Sequence, residues 1–398
     1  MRIGMLFLLA AYVLSQFYRA FLAVLTPVLG VEIGAGPDDL AVSSGLFFVS
    51  FALMQLAVGT GLDRFGPRRT AAVLLAIGGG GGAIIFAMAQ GPMALHLAMV
   101  LIGIGCSPVL MAAYFIFARS FSPAVFGTLA GVMVGVGSLG NIAGATPLAW
   151  LIEAAGWRTT LWGLAGLTLL VAAALALFVR DPARVTGNGK DSGSFAEILA
   201  LRALWPVLAL MLVAYAPAAV IRGLWAGPYL QQVYGADAAG IGHATLLMGL
   251  AMVAGNFLLG PIDRVTGSRK WGVAGCVALS AASLGLLVIF PAPGFWTSAM
   301  LLAAHGFFGA SYPAIMAHGR SFLPPHLIGR GVSFINMFSI GGAGIMQFAS
   351  RPVYRALQDP AQPGQTFGSL FLFFLLPLVA GLVIYLFSRE EARQALQD

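Results

Sequence analysis

The chain has 398 residues, 59% of them hydrophobic and only 9% charged. Soluble domains carry about 25% charged residues, so a soluble globule is excluded and the solvent to reason with is the hydrocarbon of a bilayer. The net charge of +7 would suggest nucleic acid in a soluble protein. Here it is spread over short loops, so it speaks of membrane topology and no nucleic-acid partner is expected.

A crossing needs about 20 apolar residues. Twelve stretches qualify: 4–31, 41–62, 70–90, 93–118, 124–150, 158–179, 203–233, 239–262, 270–290, 295–319, 326–350 and 366–388. All are expected to be helices, because lipid offers nothing to an unpaired backbone group. The opening "MRIGMLFLLAAYVL" reads as an uncleaved first helix, since no small-residue cleavage site leads into a soluble domain. Arg19 lies roughly 22 Å along that stretch at 1.5 Å per residue, where a charge costs at least about 2.5–3.5 kcal/mol. Tyr12 and Thr26 lie seven residues to either side of it, and Ser15 joins the same stripe. The glycine run at 78–82 reads as a close helix crossing, because no lysine or strand makes it a phosphate loop.

Later stretches repeat earlier ones. "LDRFGPRR" after the second returns as "IDRVTGSRK" after the eighth, with Asp63 and Asp263 200 residues apart. "ARSFSP" after the fourth returns as "GRSFLP" after the tenth. In the seventh stretch Arg222 stands 203 residues after Arg19, and Tyr215 and Tyr229 flank it at the same seven-residue spacing, with Trp225 close by. Seven residues are two helical turns, so each trio is expected on one face. The polar linker 180–195 divides six stretches from six. The expectation is an all-α membrane protein of twelve transmembrane helices in two pseudo-symmetric six-helix bundles, 1–180 and 201–398, joined by a cytoplasmic linker at 181–200.

Basic residues crowd alternate loops and the tail, among them Arg64, Arg68, Arg119, Arg264, Arg269, Arg320 and Arg389. This bias puts both termini in the cytoplasm of a cell whose inner membrane holds the chain. No Asp or Glu falls inside any of the twelve stretches, so neither arginine has a counter-ion of its own. Two facing guanidinium forks would take one from a ligand, a small anion with planar or tetrahedral oxygens.

Other polar residues inside the stretches are candidates for ligand contact or for helix–helix hydrogen bonds: Gln55, Asn141, Asn256, Asn336, Tyr114 and Tyr312. His305 is the one histidine deep in a stretch and a candidate proton carrier. No metal-ligand spacing, nucleotide motif or nucleophile–base pair occurs, so no metal, no cofactor and no enzyme activity are expected.

"GTGLDRFGPRR" resembles the signature between the second and third helices of the major facilitator transporters, with Gly59, Asp63, Arg64, Gly66 and Arg68 matching. The resemblance implies that these residues are gate elements, and their repeats Asp263 and Arg264 with them. Physically, Asp63 can pair with a base or cap a helix of the other half only in one closed state. An arginine on the first and seventh helices resembles the organophosphate:phosphate antiporters, whose arginines bind phosphate. Arg19 and Pro27 follow that branch, but Gln55 stands where it has a lysine, and the fifth helix, which carries a histidine there, has none here, only Asn141. The lost positive charge favours a monoanion such as a small carboxylate. A monomeric carrier of a small organic anion is expected, by exchange or uniport. The competing readings are an exporter of hydrophobic drugs or metabolites and a non-transporting sensor on the same scaffold.

Overall fold

The computed structural model describes residues 2–35, 37–144, 146–183, 195–236 and 238–390. The middle of the linker and the last eight residues fall outside the described residues, as does the side chain of Thr26. Every regular element described is helical. Twelve are long and apolar enough to cross a bilayer: Ile3–Ala20, Val42–Phe65, Pro67–Ala87, Pro92–Ser120, Val125–Ala155, Trp157–Phe178, Arg202–Tyr234, Gly240–Leu259, Arg269–Ile289, Phe295–Ser321, Pro325–Leu357 and Pro363–Leu386. These are spans one to twelve of an all-α, multi-pass membrane protein.

Several spans are not the continuous helices expected: the fifth is divided after Gly137 and again after Ala143, the tenth between Gly309 and Tyr312, and spans one, three and seven also depart. The first breaks at Phe21, between helices Arg2–Ala20 and Leu22–Ile33. The Phe21 ring is fully buried there, packed against Phe17, Tyr18 and Phe86. The third widens into a π-helical segment, Leu75–Gly80, along the glycine run. A Cβ at Gly78 would stand 2.6 Å from the Gly105 nitrogen of span four, so only glycine permits this backbone contact. The seventh is composite: helices Trp205–Ala214 and Ala216–Val220, a π segment Ile221–Trp225, then Ala226–Tyr234. Pro217 removes one backbone donor ahead of the widened turn. Such turns recur at functional sites, and this one carries Arg222.

The broken registers correct one expectation. Seven residues no longer amount to two regular turns between Arg222 and Tyr229, because the π segment lies between them. The stripe of the seventh span is therefore not a single face.

The chain packs as two units. The first comprises Met1–Phe121, Val136–Ile198 and Leu323–Met337; the second comprises Ser122–Gly135, Leu199–Phe322 and Phe338–Asp398. The halves of the sequence thus each lend a segment to the other's unit, through glycine-permitted contacts. A Cβ at Gly59 of span two would lie 2.7 Å from the Arg330 Cα of span eleven. A Cβ at Gly127 of span five would lie 2.6 Å from the Gly260 carbonyl oxygen after span eight.

Candidate functional site

In the first unit, the Arg19 guanidinium carbon lies 4.7 Å from the ring centroid of Phe51 on span two. Such stacking is worth about 0.5–2 kcal/mol. Arg19 is partly buried, its Nε has no hydrogen-bond partner, and no carboxylate among the described residues pairs with it. One turn beyond Phe51, Gln55 is wholly buried and donates from Nε2 to the Ser107 carbonyl of span four at 3.2 Å.

The geometry of span four follows from its proline. Pro108 sits inside the helix and has no N–H for the Ile104 carbonyl. The Ser107 hydroxyl takes that place, donating to Ile104 O at 2.7 Å. A serine preceding a proline is the repair that a membrane helix needs. Cys106, adjacent, is within electrostatic reach of Arg19. Spans one, two and four thus bring Arg19, Phe51, Gln55, Cys106 and Ser107 into one neighbourhood. Ser15 and Gln16 are one turn back from Arg19, and both are buried. Tyr12 is further back, its ring packed against Gly137 of span five. Tyr114 on span four and Asn336 on span eleven are buried in the same unit, and Asn141 is partly exposed on the short helix Leu139–Ala143.

In the second unit, Arg222 leans on span eight. A Cβ at Gly249 would lie 2.8 Å from its Nη2, so the missing side chain is the room the guanidinium occupies. Its Nε also lacks a hydrogen-bond partner, and it has no carboxylate partner among the described residues. Tyr215, within electrostatic reach of Arg222, has its ring centroid 6.4 Å from that of Tyr312. Two expected ligand contacts are committed elsewhere. The Tyr229 hydroxyl bonds the Pro291 carbonyl and the Ser298 hydroxyl, both at 2.8 Å, within an aromatic cluster with Phe367 and Phe371. Trp225 Nε1 donates to Ser350 Oγ at 3.0 Å, beneath Tyr354. Asn256 donates back to Met252 O of its own helix. His305 is fully buried, with Nδ1 2.9 Å from the Ser280 hydroxyl.

The signature loop forms a second constellation in the first unit. Asp63, at the end of span two, accepts from the backbone N–H groups of Gly329 (2.9 Å) and Arg330 (3.1 Å). Its Oδ2 is 3.4 Å from the Arg330 Nη1. Helix Ile328–Leu357 starts there, so the carboxylate meets two of the four donors that every helix start leaves open. Arg119 adds a bond to the carbonyl of Pro325 at 3.2 Å. Gly66 has φ +88°, a conformation that side chains resist. The turn brings the Arg68 N–H to Asp181 Oδ1 at 2.8 Å, so Asp181 caps span three, which begins at Pro67. Arg64 is exposed, its guanidinium over the neighbouring Phe65 ring.

The repeat in the second unit behaves differently. Asp263 accepts from a side chain, that of Arg269 at the start of span nine, through Nε (3.1 Å) and Nη2 (2.5 Å). Both side chains are about 95% buried. The neighbouring Arg264 is exposed. The sequence reading missed Gln16, Phe51, Ser107, Gly249, Asp181 and Arg269. Of these, the Ser–Pro pair inside a span was the one visible signal.

Comparisons with known proteins agree on the kind of molecule. The family model described as Major Facilitator Superfamily matches residues 8–346. The "Uncharacterized transporter YybO" of Bacillus subtilis (strain 168) is 29% identical over 146 residues, 37% of this chain and 33% of that protein; the match thus spans about a third of that relative. The "Putative tartrate transporter" of Agrobacterium vitis is 23% identical over 414 residues, covering 97% of this chain and 90% of that one. Among solved structures, the human organic anion transporter MFSD10 (TETRAN) superposes with a TM-score of 0.72 at 17% identity, over 95% of this chain and 99% of that chain. At that identity the likeness is one of fold.

Proposed function

The chain belongs to the Major Facilitator Superfamily, and from that premise we propose that it carries a small organic anion across the membrane by alternating access, with Arg19 and Arg222 as the anion's ligands. One observation carries this reading: Arg19 at the end of helix Arg2–Ala20, just before the Phe21 break, and Arg222 in the π segment of span seven each have an unpartnered Nε and no carboxylate partner among the described residues. A cation in a bilayer is costly, and a bound anion offsets that cost. The names of two similar proteins, one for tartrate and one for organic anions, point the same way. The loss of the lysine at Gln55 favours a monocarboxylate over a phosphate ester.

In this mechanism the empty carrier keeps two unneutralised guanidinium groups, which repel and disfavour the occluded state. The anion relieves that repulsion, and the halves rock about it. Asp63 and Arg330 hold one end shut, and both termini face the cytoplasm from the inner membrane. Exchange then runs faster than net efflux. Tyr229 and Trp225, bonded elsewhere, support the seventh span and do not touch the ligand.

The test is a thermal-shift and uptake screen on purified, reconstituted protein with carboxylates, phosphates and inorganic anions. Carboxylates should stabilise it. Arg19→Ala and Arg222→Ala should each abolish uptake while the protein still inserts. Lysine at either position should largely fail too, because a point charge cannot reproduce a bidentate fork. Normal transport by both alanine variants would overturn the reading.

A further inference from the structure

Gln55 is the least comfortable polar group beside Arg19. Its side chain is wholly buried, and its Nε2 is fixed on the Ser107 carbonyl. A carbonyl only accepts, so the amide cannot be turned end for end without losing that bond. The other end, Oε1, is therefore pinned as a bare acceptor, buried and without a partner among the described residues. Gln16, three residues before Arg19, presents a second buried Oε1 with no partner. Gln55 exposes no surface to bulk solvent, so an acceptor left unpaired there is costly.

Two contacts place Gln55 in the neighbourhood of Arg19. Phe51, which carries the Arg19 guanidinium, is one helical turn from Gln55 on the same face. Cys106, within electrostatic reach of Arg19, is next to the residue that Gln55 bonds. The neighbourhood thus offers a permanent donor, the guanidinium, and one turn away an acceptor that cannot become a donor. A ligand that matches both must be an anion at one end and carry an O–H or N–H beside it.

We propose that Gln55 reads a hydroxyl next to the anionic group, so that the substrate is a hydroxylated carboxylate and its deoxy counterpart is a poor one. This rests on the anion reading above and adds to it a second requirement set by one named atom, Gln55 Oε1. Gln16 Oε1 serves a further hydroxyl of a longer polyhydroxy acid. An aliphatic carboxylate of the same charge and length would bury the acceptor unpaired in the bound state. A site built around a hydroxyl discriminates strongly for that reason.

The experiment uses the full chain in lipid nanodiscs and measures the concentration of each acid that gives half-maximal thermal stabilisation. The probes are charge- and length-matched pairs: glycerate with propionate, and gluconate with hexanoate. The hydroxy acid of a pair should act at about tenfold lower concentration, as one lost hydrogen bond to a buried acceptor implies. In Gln55→Leu that ratio should fall to within about twofold of unity, because the acceptor that distinguished the two is gone. Gln55→Asn, which keeps an amide on a shorter stem, should give an intermediate ratio. A purely packing role for Gln55 would weaken both members of a pair alike and leave the ratio as it was. Equal binding of hydroxy and deoxy acids by the wild-type chain, or an unchanged ratio in the leucine variant, overturns the hydroxyl reader while leaving the anion carrier standing. If no carboxylate of either kind stabilises the wild-type chain, the anion reading itself falls.

Discussion

Asp63 and Asp263 begin almost the same words of sequence and end in different chemistry. The first gives its carboxylate to two backbone N–H groups at the start of another helix; the second spends it on a guanidinium six residues away. Loop length explains the difference. In the first unit the next helix starts four residues after the aspartate, at Pro67, with Gly66 as its cap. In the second it starts six residues after, at Arg269, behind Ser268, whose hydroxyl caps Trp271 N–H. Two more residues of chain let Arg269 fold back onto Asp263. In the first unit the arginine at the same offset, Arg69, is already wound into the helix that starts at Pro67 and is exposed. No ion pair joins it to Asp63 among the described residues, so Asp63 remains available for a distant partner. A duplicated motif can therefore hold one copy for contact with another element and close the other upon itself.

The buried pair should be the costlier to break. Arg269→Ala leaves the Asp263 carboxylate buried and unpaired, and should cost about 3–5 kcal/mol of stability, seen as a lower midpoint in thermal unfolding of the reconstituted protein. A loss no larger than that of an exposed arginine would erase the contrast drawn here. Asp63→Asn should fold nearly as well but slow turnover by about tenfold, with little change in the substrate concentration for half-maximal binding. If affinity falls and the maximal rate does not, Asp63 is not acting as a gate. Asp263→Asn should show the reverse balance, with stability lost and turnover largely kept.

Two smaller changes sharpen the picture of the first loop. Gly66→Ala places a side chain at φ +88°, against the Asp181 carboxyl 2.8 Å away. It should cost roughly 1–3 kcal/mol. The matching turn glycine of the second unit, Gly267, has no atom within 4 Å of its would-be Cβ, so Gly267→Ala should show the conformational cost alone. Arg330→Gln should be the mildest, about 0.5–1 kcal/mol, because the backbone donors to Asp63 remain. Melting curves of the three variants side by side give the order directly.

The twelve spans were legible because bilayer hydrocarbon tolerates little else, and the repeat was legible because its landmarks recur at offsets of 200 to 203 residues. The broken registers were not. Nothing marks Phe21 as a helix break in the sequence; its ring is seated in a tertiary pocket that only the fold forms. The π segment around Arg222 lies just after Pro217, and periodicity assumes a pitch that the segment does not keep. Seven-residue spacing therefore selected Tyr229, whose hydroxyl is spent on Ser298 and Pro291, and passed over Phe51, which looks like any other apolar residue. Gln55 was visible as a polar residue in an apolar run. That its amide is pinned in one orientation depends on Ser107 of span four, 52 positions away.

The cap that Asp63 provides also makes an isotope clock. Amides in the first turn of a helix have no partner within the helix and trade their protons with water readily when exposed. Those of Gly329 and Arg330 are held by a carboxylate, so deuterium enters them only while Asp63 is away. Their uptake, measured against amides deeper in the same helix, counts the fraction of time spent released, with no label attached and no substrate added.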